Sequence, residues 1–339
     1  MNKDNAATRA RRWAACLVLC LAIGDASAET TSAKEINDAA ARALWWADFG
    51  EVSRLHALHG QPGRRTATGE SELSSYRKGL GRVFRGKKGA SDAFFVEMES
   101  LTGQWVTEHP RSALAHVLHA NAILERAWFH RGVGYSNTVS PLAWKEFQKH
   151  VRRASEYLAA NAEMVFSDSS GHVTALWVGR AAGWGEAQLR AMARDGLMKR
   201  PDDDDLYTAM LTALLPKWGG TARQLDQYIE QVVADTKATQ GMAMYARLYE
   251  RASREQFAQA LFEESGARWP QMKQGFDDLL SRYPDPANVN RYAYFACMAQ
   301  DRPTATALLA KIGDAVDAGQ WGDAGLRNYE ACKRWLERT

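Results

Sequence analysis

Bulky apolar residues return every three or four positions along most of this chain, the spacing that gathers them on one face of an α-helix. The clearest case runs from Leu142 through Trp144, Phe147, Val151, Tyr157 and Leu158 to Met164, one stripe on a single long helix. Similar stripes pass through Leu114, Val117 and Leu118 to Trp128, through Leu225, Tyr228, Ile229, Val232 and Val233, through Phe276, Leu279, Leu280 and Tyr283, and through Tyr292, Phe295 and Met298. No run alternates with the period of two that a half-buried strand needs. The pattern therefore predicts an all-α fold.

Punctuation inside these stripes predicts a repeat. Helices are expected to end at Glu108-His109-Pro110, Lys199-Arg200-Pro201 and Arg282-Tyr283-Pro284, and others to halt at Gly132, Pro216 or Asp301. Each unit reads as one helix of a pair followed by a turn. The proline spacings are unequal, which favours a degenerate α-solenoid over identical units. The acidic run Asp202 to Asp205 suits the first turn of a helix, where it complements the dipole. A calcium loop would need a glycine and a glutamate at EF-hand spacing, and neither follows.

One connection is specified in unusual detail. In Leu214-Leu215-Pro216-Lys217-Trp218-Gly219-Gly220-Thr221 the proline stops a helix, the glycines permit positive φ, and Thr221 can cap the next helix. A packed hinge between two helices is expected. The stretch Gly60 to Ser91 is the least regular. Leu73, Tyr76, Leu80, Val83 and Phe84 keep helical spacing within it, so it predicts a short amphipathic helix between two flexible loops, Gly86-Lys87-Lys88-Gly89 being the more mobile. Its basic charges belong to a solvated loop in preference to an anionic surface contact.

The first 28 residues change the picture of where the chain works. Arg9, Arg11 and Arg12 precede an 11-residue apolar run, Trp13 to Ile23, and the small-residue exit Ala26-Ser27-Ala28. This has the form of a bacterial secretory signal peptide cleaved after Ala28, too short to span a bilayer and with Leu19 poorly suited to lipoprotein processing at Cys20. The expected layout is a leader at 1–28, an N-terminal helical segment with basic loops at 29–90 and a helical-repeat domain at 91–339, working in a periplasm or outside the cell. Loss of four basic and two acidic residues with the leader takes the formal charge from +3 to +1, which gives no electrostatic case for nucleic acid. No later apolar run is long enough to cross a membrane. With 46% hydrophobic residues and twelve tryptophans the chain can build a large core. Cys297 and Cys332 remain as an even pair, the expected disulfide in an oxidising compartment.

The Leu-Pro-Lys-Trp-Gly-Gly-Thr segment, together with Met244-Tyr245-Ala246-Arg247-Leu248-Tyr249, Trp269 to Phe276 and Asn290 to Cys297, resembles an uncharacterised bacterial family of tetratricopeptide-like character, a domain of unknown function. The resemblance extends over most of the chain after the leader, with Arg64 to Tyr76 and Ala127 to Gly132 as further matches. It implies an irregular tetratricopeptide-like helical repeat and carries over no catalytic residue.

Candidate chemistry is sparse. His116 and His119 share a helical face, with Glu125 and His130 beyond, and two imidazoles one turn apart can share a metal. Spacing fixes no third ligand, so a packed helix explains them better and no metal is expected. His56 and His59 sit beside a glycine-proline loop and make a weaker pair. The chain contains no His-Glu-x-x-His, no Gly-x-Ser-x-Gly and no phosphate-binding glycine loop, hence no expected cofactor. Glu264-Ser265 matches the acid of lytic transglycosylases only as a dipeptide. The aromatic and basic cluster Trp128, His130, Arg131 and Tyr135 is the first candidate binding surface, and Arg247 with Tyr245 and Tyr249 the second. The expectation is an exported, non-catalytic repeat protein that binds a protein or peptide. A cell-envelope glycan hydrolase is the alternative.

Overall fold

The computed structural model describes residues 32–86, 89–132, 134 and 136–338. The expected leader, Lys87, Lys88 and the candidate Tyr135 lie outside them. Among the described residues every regular element is a helix, and the only extended pairing is an isolated antiparallel bridge between Arg65 and Ser71. No described helix is long and apolar enough to cross a membrane. The stretch Thr31–Thr339 forms one compact unit.

The helices build three adjoining cores. In the first, α1 (Ala33–Trp45), α2 (Phe49–His59), α3 (Glu72–Phe84) and α4 (Asp92–Glu108) close around Leu44, Tyr76, Phe84 and Trp105. In the second, α5 (Ala113–Arg131), α6 (Pro141–Ala160), α7 (Ala162–Val165) and α8 (Ser169–Ala182) meet at Ile123, Phe147 and Val178. The third and largest is built by α8 with α9 (Glu186–Lys199), α10 (Asp204–Ala213), α11 (Ala222–Gln240), α12 (Ala243–Ala252), α13 (Leu261–Glu264), α14 (Trp269–Arg282), α15 (Pro286–Met298), α16 (Arg302–Ile312) and α17 (Leu326–Glu337). Neighbours in sequence pack on each other, α4 on α5, α5 on α6, α8 on α9 and α15 on α16.

Local chemistry sets the ends of these helices. Ser32, Ser112, Ser140, Asp203, Thr221, Asp285 and Asp301 each accept a backbone N–H from the first turn that follows, and Pro141 and Pro286 occupy opening positions where no N–H is needed. The three expected proline stops share one conformation. His109 (φ −131°, ψ 63°), Arg200 (φ −142°, ψ 78°) and Tyr283 (φ −133°, ψ 75°) each end a helix directly before proline, whose ring disfavours helical geometry in its predecessor.

Two expectations need correction. The long stripe from Leu142 to Met164 is two helices, because Asn161 (φ −116°, ψ 24°) leaves helical geometry and its side-chain amide donates to the Tyr157 carbonyl. Local capping by the asparagine competes with the helix at that point. The stretch after Gly60 is pinned: Arg64 bonds Glu72, Arg65 bonds Asp204, and the Gly63 N–H donates to Asp202. Residues of the 29–90 segment are thus tied to the turn before α10. At the other end Cys297 and Cys332 form a disulfide with Cα atoms 5.8 Å apart, fastening α17 to α15.

Candidate functional site

The hinge at 214–221 delivers a side chain to the site. A short 3-10 turn, Pro216–Trp218, follows α10, Gly219 takes φ +93°, and Thr221 caps α11 through the Gln224 N–H. Gly220 has an ordinary φ, and its need for glycine is spatial, since a Cβ there would overlap the Leu214 carbonyl. So constrained, the turn holds the Trp218 ring 5.8 Å from Trp128 of α5 in an edge contact. Trp177 of α8 completes a three-ring enclosure.

Arg180 of α8 fills that enclosure. Its guanidinium carbon lies 4.3 Å from the Trp218 ring centre, 4.8 Å from Trp177 and 5.5 Å from Trp128. Such cation–π contacts hold a charge but satisfy none of its directed N–H bonds. The Arg180 Nε is buried without a hydrogen-bond partner, and among the described residues no carboxylate forms an ion pair with the group, although Glu255 and Glu125 lie near enough to act on its charge. Burial pushes its pKa down to about 10, so it stays cationic at neutral pH. Next to it Arg131 lies over both Trp128 and Trp144, at 5.6 and 5.2 Å from the ring centres.

These groups line a cleft of about 960 Å³ between α3, α5, α8, α10 and α12. Nine arginine or lysine side chains border it against five carboxylates, so its field favours anions. Ser74 Oγ, Asp204 Oδ1, Trp218 Nε1 and Arg247 Nε, all on residues that border it, are likewise buried without hydrogen-bond partners. Most buried polar atoms in folded proteins are paired, so unpaired ones on residues bordering one cleft make it the candidate ligand site.

One carboxyl of the wall stands apart. Burial raises Glu125 to about 7 against the opposing pull of Arg85 and Arg180, so near neutrality it is part acid and part carboxylate. The floor, by contrast, is saturated. Arg77 donates to Asp203, Asp205, Ser169 and Ser170 at 2.7–3.0 Å. Burial alone would lower its pKa, but Asp203 and Asp205 hold it above the ordinary value. Asp202 to Asp205 therefore serve as partners for arginine as well as for the helix dipole.

Of the residues singled out in the sequence, Trp128, Arg131, Arg247 and Trp218 border the cleft. His130 turns toward Asp92 and His150 instead. Tyr245 and Tyr249 are core residues, 2% and 1% exposed, their hydroxyls engaged by the Arg268 N–H and by Asp226. His116 bonds Tyr157 and the Pro110 carbonyl while His119 bonds Thr102, so the two do not converge on a metal. His59 is taken by Glu72, and His56 lies 3.7 Å from Asp168. Glu264 is exposed and borders no part of the cleft. Arg180 is not among the residues the sequence singles out, and Trp177 stands there only as one of many tryptophans able to line a groove. Their signal was a single charge on the otherwise apolar stretch Val173 to Ala182, one turn after a tryptophan.

No family model, curated protein or solved structure matches this chain.

Proposed function

We propose that this chain is an exported, non-catalytic helical-repeat protein of tetratricopeptide-like character that draws an acidic segment of a protein or peptide partner into the arginine- and tryptophan-lined cleft. The observation that carries the reading is Arg180, a cation boxed by three indoles whose buried Nε has no hydrogen-bond partner and which forms no ion pair among the described residues. A carboxylate from a partner would take the free N–H groups in a charge-assisted, two-pronged bond, and its apolar neighbours would rest on the tryptophans. The repeated proline stops and the packing of sequence neighbours support the repeat. The Cys297–Cys332 bridge fits an oxidising compartment.

The test is calorimetric titration with an acidic decapeptide and, as control, a lysine-rich one. Arg180→Met keeps the length and apolar stem of the side chain. It is expected to leave the melting temperature unchanged or higher, because a buried unpaired charge goes, and to weaken the acidic peptide at least about 10-fold. Equal affinity in the variant, or indifference to peptide charge, would contradict the proposal.

A glycan hydrolase is favoured by one observation only, the partly protonated Glu125 in the cleft, since a glycosidic acid must carry its proton near neutrality. Release of soluble fragments from purified peptidoglycan, lost in Glu125→Gln, would decide for it.

A further inference from the structure

Away from the cleft, the α5–α6 pair brings three metal-ligating side chains together, of which Glu146 also accepts from Lys149 at 3.0 Å. His130 lies in the last turn of α5, and Glu146 and His150 lie one turn apart on α6. One ligand atom from each of the three falls within 4.8 Å of the others. The two imidazoles stack at 5.2 Å with planes 9° apart, and the Nε2 of each is buried without a hydrogen-bond partner. Asp92, at the start of α4, brings an oxygen to 3.2 Å from His130 Nε2. A pair of stacked histidines whose buried Nε2 atoms make no hydrogen bond is a poor core, as each of those two nitrogens forfeits a bond it would make in water.

We propose that His130, Glu146 and His150 bind a zinc-class divalent transition metal, with a fourth position open to water or to Asp92. Two imidazoles and a carboxylate form a ligand set suited to Zn2+ and poor for the hard cations Ca2+ and Mg2+. Arg153 now donates to His150 Nδ1 at 2.9 Å, which places that ring's proton on Nε2. Arg153 also bonds Glu99 at 2.7 Å, and Glu99 lies 4.0 Å from the same Nδ1. Metal at Nε2 would require that proton to shift to Nδ1 and Arg153 to leave it, with Glu99, now 4.0 Å away, as the carboxylate that would have to move in to accept it. That gives the carboxylate–histidine–metal arrangement in which the outer partner fixes the tautomer. The rings must tilt out of their stack, because a metal cannot lie in both parallel planes. His130 sits between Trp128 and Arg131, so the bound ion would brace the turn that presents both to the cleft.

The test uses the purified protein, stripped with chelator and titrated with Zn2+ alone by calorimetry. Binding of one equivalent at micromolar or tighter affinity is expected, with a shift of the His130 and His150 ring resonances in NMR. His130→Gln changes the less buried of the two histidines and should weaken binding at least about 10-fold with circular dichroism and melting unchanged in the metal-free protein. Glu146→Gln, on the partly exposed face of α6, provides a second ligand variant should the first disturb folding. Absence of saturable binding below about 100 μM, or binding unchanged in both variants, would overturn the site.

Discussion

Glu125 ties the charge of a single side chain to the stability of the fold. Its folded pKa of about 7 lies above the ordinary 4.5, burial being the main cause. Between those values the folded chain holds more protons than the unfolded one, so stability falls as pH rises from about 4.5 to 7 and the penalty stays in full above that window. Glu125→Gln removes the ionisation, and denaturant unfolding at pH 5 and pH 8 should show its advantage over the native protein growing by about 2 kcal/mol. An advantage independent of pH would mean that the carboxyl is not held in its neutral form. The same titration predicts tighter binding of an acidic peptide below pH 7, where Glu125 ceases to repel it. In the sequence Trp128 and Arg131 were legible as a cluster, because they are neighbours on one helix turn. The joining of Arg180 and Trp177 to that cluster was not, since they come from α8 and only packing brings the two helices together.

Helix boundaries were the most legible feature, because each rests on chemistry within a few residues. Proline fixes the predecessor at His109, Arg200 and Tyr283, and serine, threonine or aspartate side chains open most of the helices that follow. Asn161 escaped notice because the apolar stripe continues across it, and periodicity cannot see one residue leaving helical geometry. The two glycines of the 214–221 turn differ in reason. Gly219 needs positive φ and has open space around it, whereas Gly220 needs the absence of a Cβ. Gly219→Ala should therefore cost about 1 kcal/mol and Gly220→Ala roughly 2–4 kcal/mol in thermal or denaturant unfolding. The opposite ranking would show that backbone strain, not crowding, dictates the turn. Because this turn carries Trp218, Gly220→Ala should also weaken acidic-peptide binding.

The three cores are joined by polar ties as well as by apolar packing, and one of these is buried beside the cleft. Arg77 of α3 links the first helices to α8 and α10 through Asp203, Asp205, Ser169 and Ser170, with Asp203 side-chain exposure at 0%. Taking one partner from such a network leaves carboxylates buried and unpaired, so Arg77→Met is expected to destabilise the protein by about 3–5 kcal/mol in denaturant unfolding. A loss under about 1 kcal/mol would show that the first helices are held by packing alone. None of this could be read from composition: residues 65 and 77 meet residues 203 to 205 only in the folded chain. The all-helical class was legible, since periodicity extends over most of the sequence. The charge of the cleft was hidden, because a chain of almost balanced charge concentrates arginine on one inner surface. That surface is best addressed with the protein labelled with 5-fluorotryptophan and titrated with the acidic decapeptide. Resonances of Trp128, Trp177 and Trp218 should shift together and saturably while those of the core residues Trp105 and Trp321 stay in place. Saturable binding that leaves the three cleft tryptophans unmoved would contradict the assignment of the cleft as the binding site.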